Sequence, residues 1–147
     1  MKKLLLSFSL AAFSLLAMAT PPKKNTPEVH SYAAKEDLKR LYGEVDNLHW
    51  VRSKDNMIRA NFTIDGDAFS AFFDVDGNHV ATTSAKTVAE LPAMIRKIVK
   101  ARFDEKSIAN IVQCESPMEN AYFLEVDNEK GKKIYRVSLG GTVSIFQ

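Results

Sequence analysis

Apolar and polar positions alternate strictly along several short runs of this chain, and glycine turns join the runs. Ile58, Ala60, Phe62 and Ile64 share one parity, and Arg59, Asn61 and Thr63 share the other. Phe69, Ala71, Phe73 and Val75 repeat the pattern after Asp65-Gly66-Asp67. A period of two, interrupted by Asp-Gly, predicts antiparallel hairpins, because glycine readily takes the positive φ of short turns. Read in this way, residues 48–53, 57–64, 68–75 and 79–84 form four strands, turned at Lys54-Asp55-Asn56, Asp65-Gly66-Asp67 and Asp76-Gly77. Four more fall at 107–115, 121–127, 133–139 and 142–146, turned at Ser116-Pro117, Asn128–Gly131 and Gly140-Gly141.

Two stretches switch to a helical period. Ala34, Leu38, Leu41 and Tyr42 form one stripe, with Lys35, Glu36, Lys39 and Arg40 on the outer side. Ser31 is placed as the N-cap and Gly43 as a left-handed C-cap. In residues 87–103, Leu91, Met94, Ile95, Ile98, Val99 and Phe103 are expected to face inward, and Arg96, Lys97, Lys100 and Arg102 outward. Pro92 would remove a backbone hydrogen bond from a helix begun at Thr87. The main helix is therefore placed from about Leu91, and Thr87–Glu90 forms a separate turn with the residues of a capping box.

The order helix, four strands, helix, four strands predicts an α+β fold of tandem helix-plus-four-stranded antiparallel sheet modules. FFDVDGNHVA in the first half and YRVSLGGTVS in the second suggest a repeat of about 55–60 residues. The single domain at 31–147 then divides into half-repeats 31–86 and 87–147. One helix covers one sheet face in each half, which leaves the other face open.

Three motifs in order, LKRLYGEVDNLHW, ANFTIDGDAFSAFFDVDG and AELPAMIRKIV, resemble those of exported PepSY-like proteins related in fold to the β-lactamase inhibitory protein. The resemblance spans residues 35–147 and implies a pair of BLIP-like helix-plus-sheet modules. Members of the group mostly lack an assigned activity, and the named inhibitor docks a sheet surface on a secreted enzyme. No motif here matches its contact residues position by position, so none is carried over, and inhibition of a β-lactamase is not implied.

The first nineteen residues lie outside this pattern. Lys2 and Lys3 precede an apolar run from Leu4 to Leu16, and Ala17-Met18-Ala19 has the small-x-small form of a cleavage site. The run is shorter than the ~20 residues of a spanning helix, so it reads as a signal peptide cut after Ala19, not as an anchor. Residue 20 is Thr, so no lipidated cysteine follows the cut. A periplasmic or secreted protein with no stable membrane anchor is expected, with 20–30 (TPPKKNTPEVH) as a flexible tether.

Cleavage also changes the charge. The chain has 20 Lys and Arg against 18 Asp and Glu. Loss of Lys2 and Lys3 leaves the two counts equal, which argues against nucleic acid as a partner. Cys114, the one cysteine, cannot form an internal disulfide. Its apolar surroundings in SIANIVQCE make it a buried small side chain.

Candidate chemistry is sparse. Asp74-Val75-Asp76-Gly77-Asn78 lacks the further oxygen donors and the closing glutamate of a calcium loop, so it reads as a turn, as does Asp65-Gly66-Asp67. His30, His49 and His79 fall in the tether, a strand and a turn without ligand spacing. No catalytic residue, metal or cofactor is expected, and the protein is read as non-enzymatic. Trp50 reads either as core at the helix–sheet junction or as an exposed anchor.

Phe72 and Phe123 are different, because each falls on the polar parity of its strand. On a sheet with one covered face that parity points to the open side. With Arg59 and Arg136 they form the candidate docking residues, expected to be solvent-exposed unless a bulge returns them to the core. The expected function is binding of a protein or peptide of the cell envelope on the open face, in an inhibitory or regulatory role. The alternative is a small-ligand carrier or sensor with a pocket between helix and sheet. Nothing in the sequence fixes the partner's identity or the oligomeric state.

Overall fold

The structure is a computed structural model that describes residues 31–53, 56–129 and 131–146. The leader, the tether with His30, and parts of the turns at 54–56 and 128–131 lie outside the described residues. Helix α1 (Tyr32–Tyr42) precedes strands β1 (Asp46–Arg52), β2 (Ile58–Ile64), β3 (Asp67–Phe73) and β4 (His79–Lys86). Helix α2 (Ala93–Arg102) precedes β5 (Ile108–Glu115), β6 (Asn120–Asn128), β7 (Gly131–Ser138) and β8 (Val143–Ile145). All eight strands pair antiparallel with their sequence neighbours in one continuous sheet. The fold class is α+β.

The helix ends follow from the local sequence. The Ser31 hydroxyl accepts a hydrogen bond from the Ala34 amide at 3.2 Å, and Gly43 closes α1 at φ 71° with its amide on the Lys39 carbonyl. Pro92 occupies the N-cap of α2. Ahead of it, a 3-10 turn at Val88–Glu90 carries the capping box, with the Glu90 carboxylate accepting from the Thr87 amide at 2.6 Å.

Both helices cover the same face. Ala34 and Leu38 pack on Ile58, Ala60, Phe62, Ala71 and Phe73. Leu91, Ile95 and Val99 pack on Ile111, Tyr122, Leu124, Val126 and Val137. The registers of β4 with its two neighbours, Ala71↔Thr82 and Thr82↔Glu115, carry one parity across the junction. Trp50 joins the first core, its ring 5.7 Å from that of Phe73. Both aromatic and aliphatic cores form by burial of apolar area, the main favourable term in folding.

Four apolar expectations fail at element ends. Val75 is 64 % exposed and Leu139 49 % exposed, because β3 and β7 stop at Phe73 and Ser138. Their alternation runs on into the turns, past the last residues of the paired strands. Leu41 and Met94 are exposed as well, since the buried stripe of each helix is narrow: Ala34 and Leu38 in α1, Ile95 and Val99 in α2.

The last hairpin turns of the two halves superimpose bond for bond. In the first, the Asp74 amide donates to the Asn78 carbonyl at 3.0 Å, and the Gly77 amide to the Asp74 carbonyl at 3.1 Å. The Asn78 amide donates to Asp74 Oδ1 at 2.8 Å. In the second, Ser138 donates to the Thr142 carbonyl at 3.0 Å, and Gly141 to the Ser138 carbonyl at 2.9 Å. The Thr142 amide donates to Ser138 Oγ at 3.1 Å. Gly77 and Gly141 have φ of 89° and 85°. The repeat interval in the hairpins is therefore 64 positions, longer than the sequence pattern suggests, and Gly77 matches Gly141, not Gly140.

Candidate functional site

The face opposite both helices holds all four candidate residues. Its central row is built from small side chains: Asn61, Ser70, Thr83, Cys114, Ala121 and Ser138 sit opposite one another across β2 to β7. Ser70 Oγ donates to Asn61 Oδ1 at 2.8 Å. Six strands at the usual spacing make this floor about 24 Å wide. Burial pushes the Cys114 thiol above its ordinary pKa, which keeps it protonated and unreactive.

A basic–aromatic pair flanks the floor at two diagonal corners. Arg59 on β2 lies opposite Phe72 on β3, and Ala81 follows on β4. Phe123 on β6 lies opposite Arg136 on β7, with Val112 on β5 beyond. The 64-position interval maps Arg59 onto Phe123 and Phe72 onto Arg136. The two halves thus carry the same pair at the same register with the residues exchanged.

Exposure is not uniform across the four. Arg59, Phe123 and Arg136 are half-buried. Phe72 is only 8 % exposed, against the expectation of an exposed ring. Its parity is right, and it lies on the open face between Arg59 and Ala81, but the ring is covered there and not presented to solvent. The Phe123 ring meets Phe146 edge-on, centroids 5.0 Å apart.

The two arginines also differ electrostatically. Arg136 is ion-paired with Glu119. Glu125, on the same face, accepts from Lys132 at 2.8 Å and Asn110 at 3.0 Å, and these contacts hold its carboxyl below the usual range. Among the described residues Arg59 makes no ion pair. Desolvation by burial lowers its pKa, although a guanidinium stays charged.

On the helix face a polar cluster escaped the sequence reading. The Thr82 hydroxyl lies 2.5 Å from Tyr42 Oη and 2.8 Å from His79 Nε2. Asp37 accepts from the His79 amide at 3.2 Å and from Arg40 Nε at 3.0 Å. Desolvation is the largest effect on His79 and lowers its pKa, with Asp37 acting against it. These contacts pin α1 to β4. The Thr82 hydroxyl within reach of the His79 ring is only 3 % exposed, and Asp37 meets the His79 backbone amide and not the ring; no group of three or more His, Cys, Asp or Glu suited to a metal occurs among the described residues.

The α2–sheet interface is filled by Leu91, Ile95 and Val99, each at most 3 % exposed. A recess of about 470 Å³ lies beyond the helix end, lined by Arg102, Phe103, Tyr135, Val143, Ser144 and Ile145. It opens at the β8 edge and not beneath the helix, where a ligand carrier would need it. No described helix is long and apolar enough to cross a membrane.

No protein-family model matches the sequence, and no curated protein does. Solved structures do match. A BLIP-like protein from Bacteroides fragilis aligns with a TM-score of 0.70 at 20 % identity, over 78 % of this chain and 82 % of that one. A DUF2874 family protein from Bacteroides ovatus aligns with a TM-score of 0.66 at 16 % identity, over 84 % and 89 %. A Bacteroides eggerthii protein provisionally described as periplasmic gives 0.66 at 16 % identity, over 80 % and 86 %. At these identities the likeness extends to the fold.

Proposed function

We propose that this chain is an exported, non-enzymatic binding protein that docks a protein or peptide of the cell envelope on its open sheet face. The observation that carries this reading is the face itself. A floor of small side chains is flanked diagonally by two Arg–Phe pairs, so a partner can approach the backbone closely and still meet aromatic and guanidinium groups, which are enriched at protein interfaces. Arg59, Phe123 and Arg136 supply the accessible contacts, and Phe72 supports Arg59 from the neighbouring strand. The leader pattern supports export, and so does the periplasmic description of one structural neighbour. The BLIP-like fold adds a neighbour named for an inhibitor, which supports binding as the mode of action without naming a target.

Thr83 lies mid-floor between Ser70 and Cys114. Thr83→Arg puts a long cation where the partner must sit. Proteins retained from an envelope extract by the immobilised mature wild type are expected to be lost from Thr83→Arg. Retention of the same proteins by the variant, with unchanged circular dichroism, rejects docking on this face.

A further inference from the structure

The two Arg–Phe pairs occupy equivalent positions, yet only one arginine is neutralised by a carboxylate among the described residues. Arg136 has Glu119. Glu125 and Lys132, also on this face, neutralise each other. Arg59 sits in a row with Val51, Phe72 and Ala81. The next polar side chain along its strand and face is Asn61, whose carbonyl oxygen already accepts from Ser70. A guanidinium half out of water and without a carboxylate is unfavourable in the free protein. An incoming carboxylate offsets that cost and can bond two guanidinium donors at once.

We infer that Arg59 is the specificity-determining contact of the open face: it receives an aspartate or glutamate side chain that the partner protein presents beside an apolar residue. The assignment rests on the docking reading above and goes further by naming the partner's chemistry. Charge complementarity selects an acidic side chain at this corner, since no described carboxylate pairs with Arg59, and the open-face acids Asp46 and Asp127 stand opposite Thr63 and Lys132, outside the Arg59 row. The apolar neighbour of the incoming acid meets Val51 and Ala81, while the small residues of the floor leave room for its backbone. Arg136 does not compete for the same group, because an acid placed there must first displace Glu119.

The probe is a random twelve-residue peptide library displayed on phage and selected against the immobilised mature protein. Peptides selected by the wild type are expected to be enriched in an acidic residue flanked by apolar ones. For a selected peptide in solution, Arg59→Gln and replacement of the peptide's Glu by Gln should each weaken binding by about ten- to a hundredfold. Combining the two should weaken it little further, the mark of a direct pair. Arg59→Lys should bind between wild type and Arg59→Gln, and Lys97→Gln, an exposed position on the outer side of α2, should stay within about threefold of wild type.

Two results separate the levels of the claim. Binding that is lost in Thr83→Arg but indifferent to Arg59→Gln overturns the Arg59 assignment and leaves the docking face standing. Binding that survives Thr83→Arg overturns the face and the assignment together. Absence of acidic enrichment, or failure to select any peptide, also overturns the assignment.

Discussion

The two halves of the molecule share a framework and differ in what they display. Each sets one helix on one side of four strands, and each ends in a turn with the same three hydrogen bonds, closed by a left-handed glycine. Two of the three are backbone bonds, and the third goes to the Asp74 carboxylate in one half and to the Ser138 hydroxyl in the other, chemically different groups that fill the same acceptor position. On the open face the order is exchanged: Arg then Phe in the first half, Phe then Arg in the second. Compensation differs too, with Glu119 paired to Arg136 and no described acid paired to Arg59. Backbone geometry has therefore tolerated less change between the halves than surface charge, as expected where turn bonds and packing fix a fold and exposed side chains are free to serve binding.

The strongest test of that framework is the glycine pair. A Cβ on Gly77 would stand 2.6 Å from Ala33 Cβ and 2.7 Å from the Ala34 amide nitrogen, both rigid parts of α1. A Cβ on Gly141 would stand 2.5 Å from Ile98 Cδ1, the end of a side chain that can rotate away. Both positions also need positive φ, which alone disfavours alanine by about 1 kcal/mol. Gly77→Ala is expected to lose about 2–4 kcal/mol, and Gly141→Ala about 1–2 kcal/mol. Urea unfolding measures both. Equal losses would break the claim that the first turn is wedged against its helix more tightly than the second.

The arginine pair should give effects of opposite sign. Arg59→Met removes an unpaired, half-desolvated charge and keeps an apolar stem, so it is expected to stabilise the protein by about 0.5 kcal/mol, a figure reduced for partial exposure. Arg136→Met removes one partner of an ion pair and is expected to destabilise by about 0.5 kcal/mol. Thermal melts of the two variants side by side give the sign directly. Destabilisation by both would mean that Arg59 makes a stabilising contact within its own chain.

How much of this was legible in the sequence follows from the physics of each feature. The caps at Ser31 and Gly43 and the break at Pro92 are local, and local chemistry fixed them. Alternation placed Phe72 and Phe123 on the open face because period two is set by the backbone. Alternation did not show where a strand stops, so Val75 and Leu139 read as core although the chain had already turned. Nor did it show long-range register. The meeting of Arg136 with Glu119 depends on the pairing of β6 with β7, and that of Tyr42 with Thr82 on the packing of α1 against β4, neither of which a local pattern encodes. Two adjacent glycines at 140 and 141 made the repeat ambiguous by one position, and only the turn's hydrogen bonds chose between them.

The smallest expected difference between the halves is in their response to acid. In the first half, His79 has a folded pKa lowered mainly by desolvation, so the unfolded chain binds its proton more readily. Stability from the neutral ring is complete above the unfolded value of about 6.5 and declines as pH falls below it, levelling off under the folded pKa. In the second half, Glu125 is lowered mainly by its hydrogen bond to Lys132, then by Asn110. Its contribution is complete above the unfolded value of about 4.3 and is lost as pH falls through the folded pKa. Melting temperature should therefore fall in two stages on acidification. His79→Gln should flatten the first stage and leave the second, and Glu125→Gln should reduce the second, to which Asp74 and Glu90, also held low by hydrogen bonds, contribute as well. A first stage that persists in His79→Gln would place the near-neutral sensitivity elsewhere and remove the electrostatic contrast between the α1–β4 contacts and the Lys132–Glu125 pair.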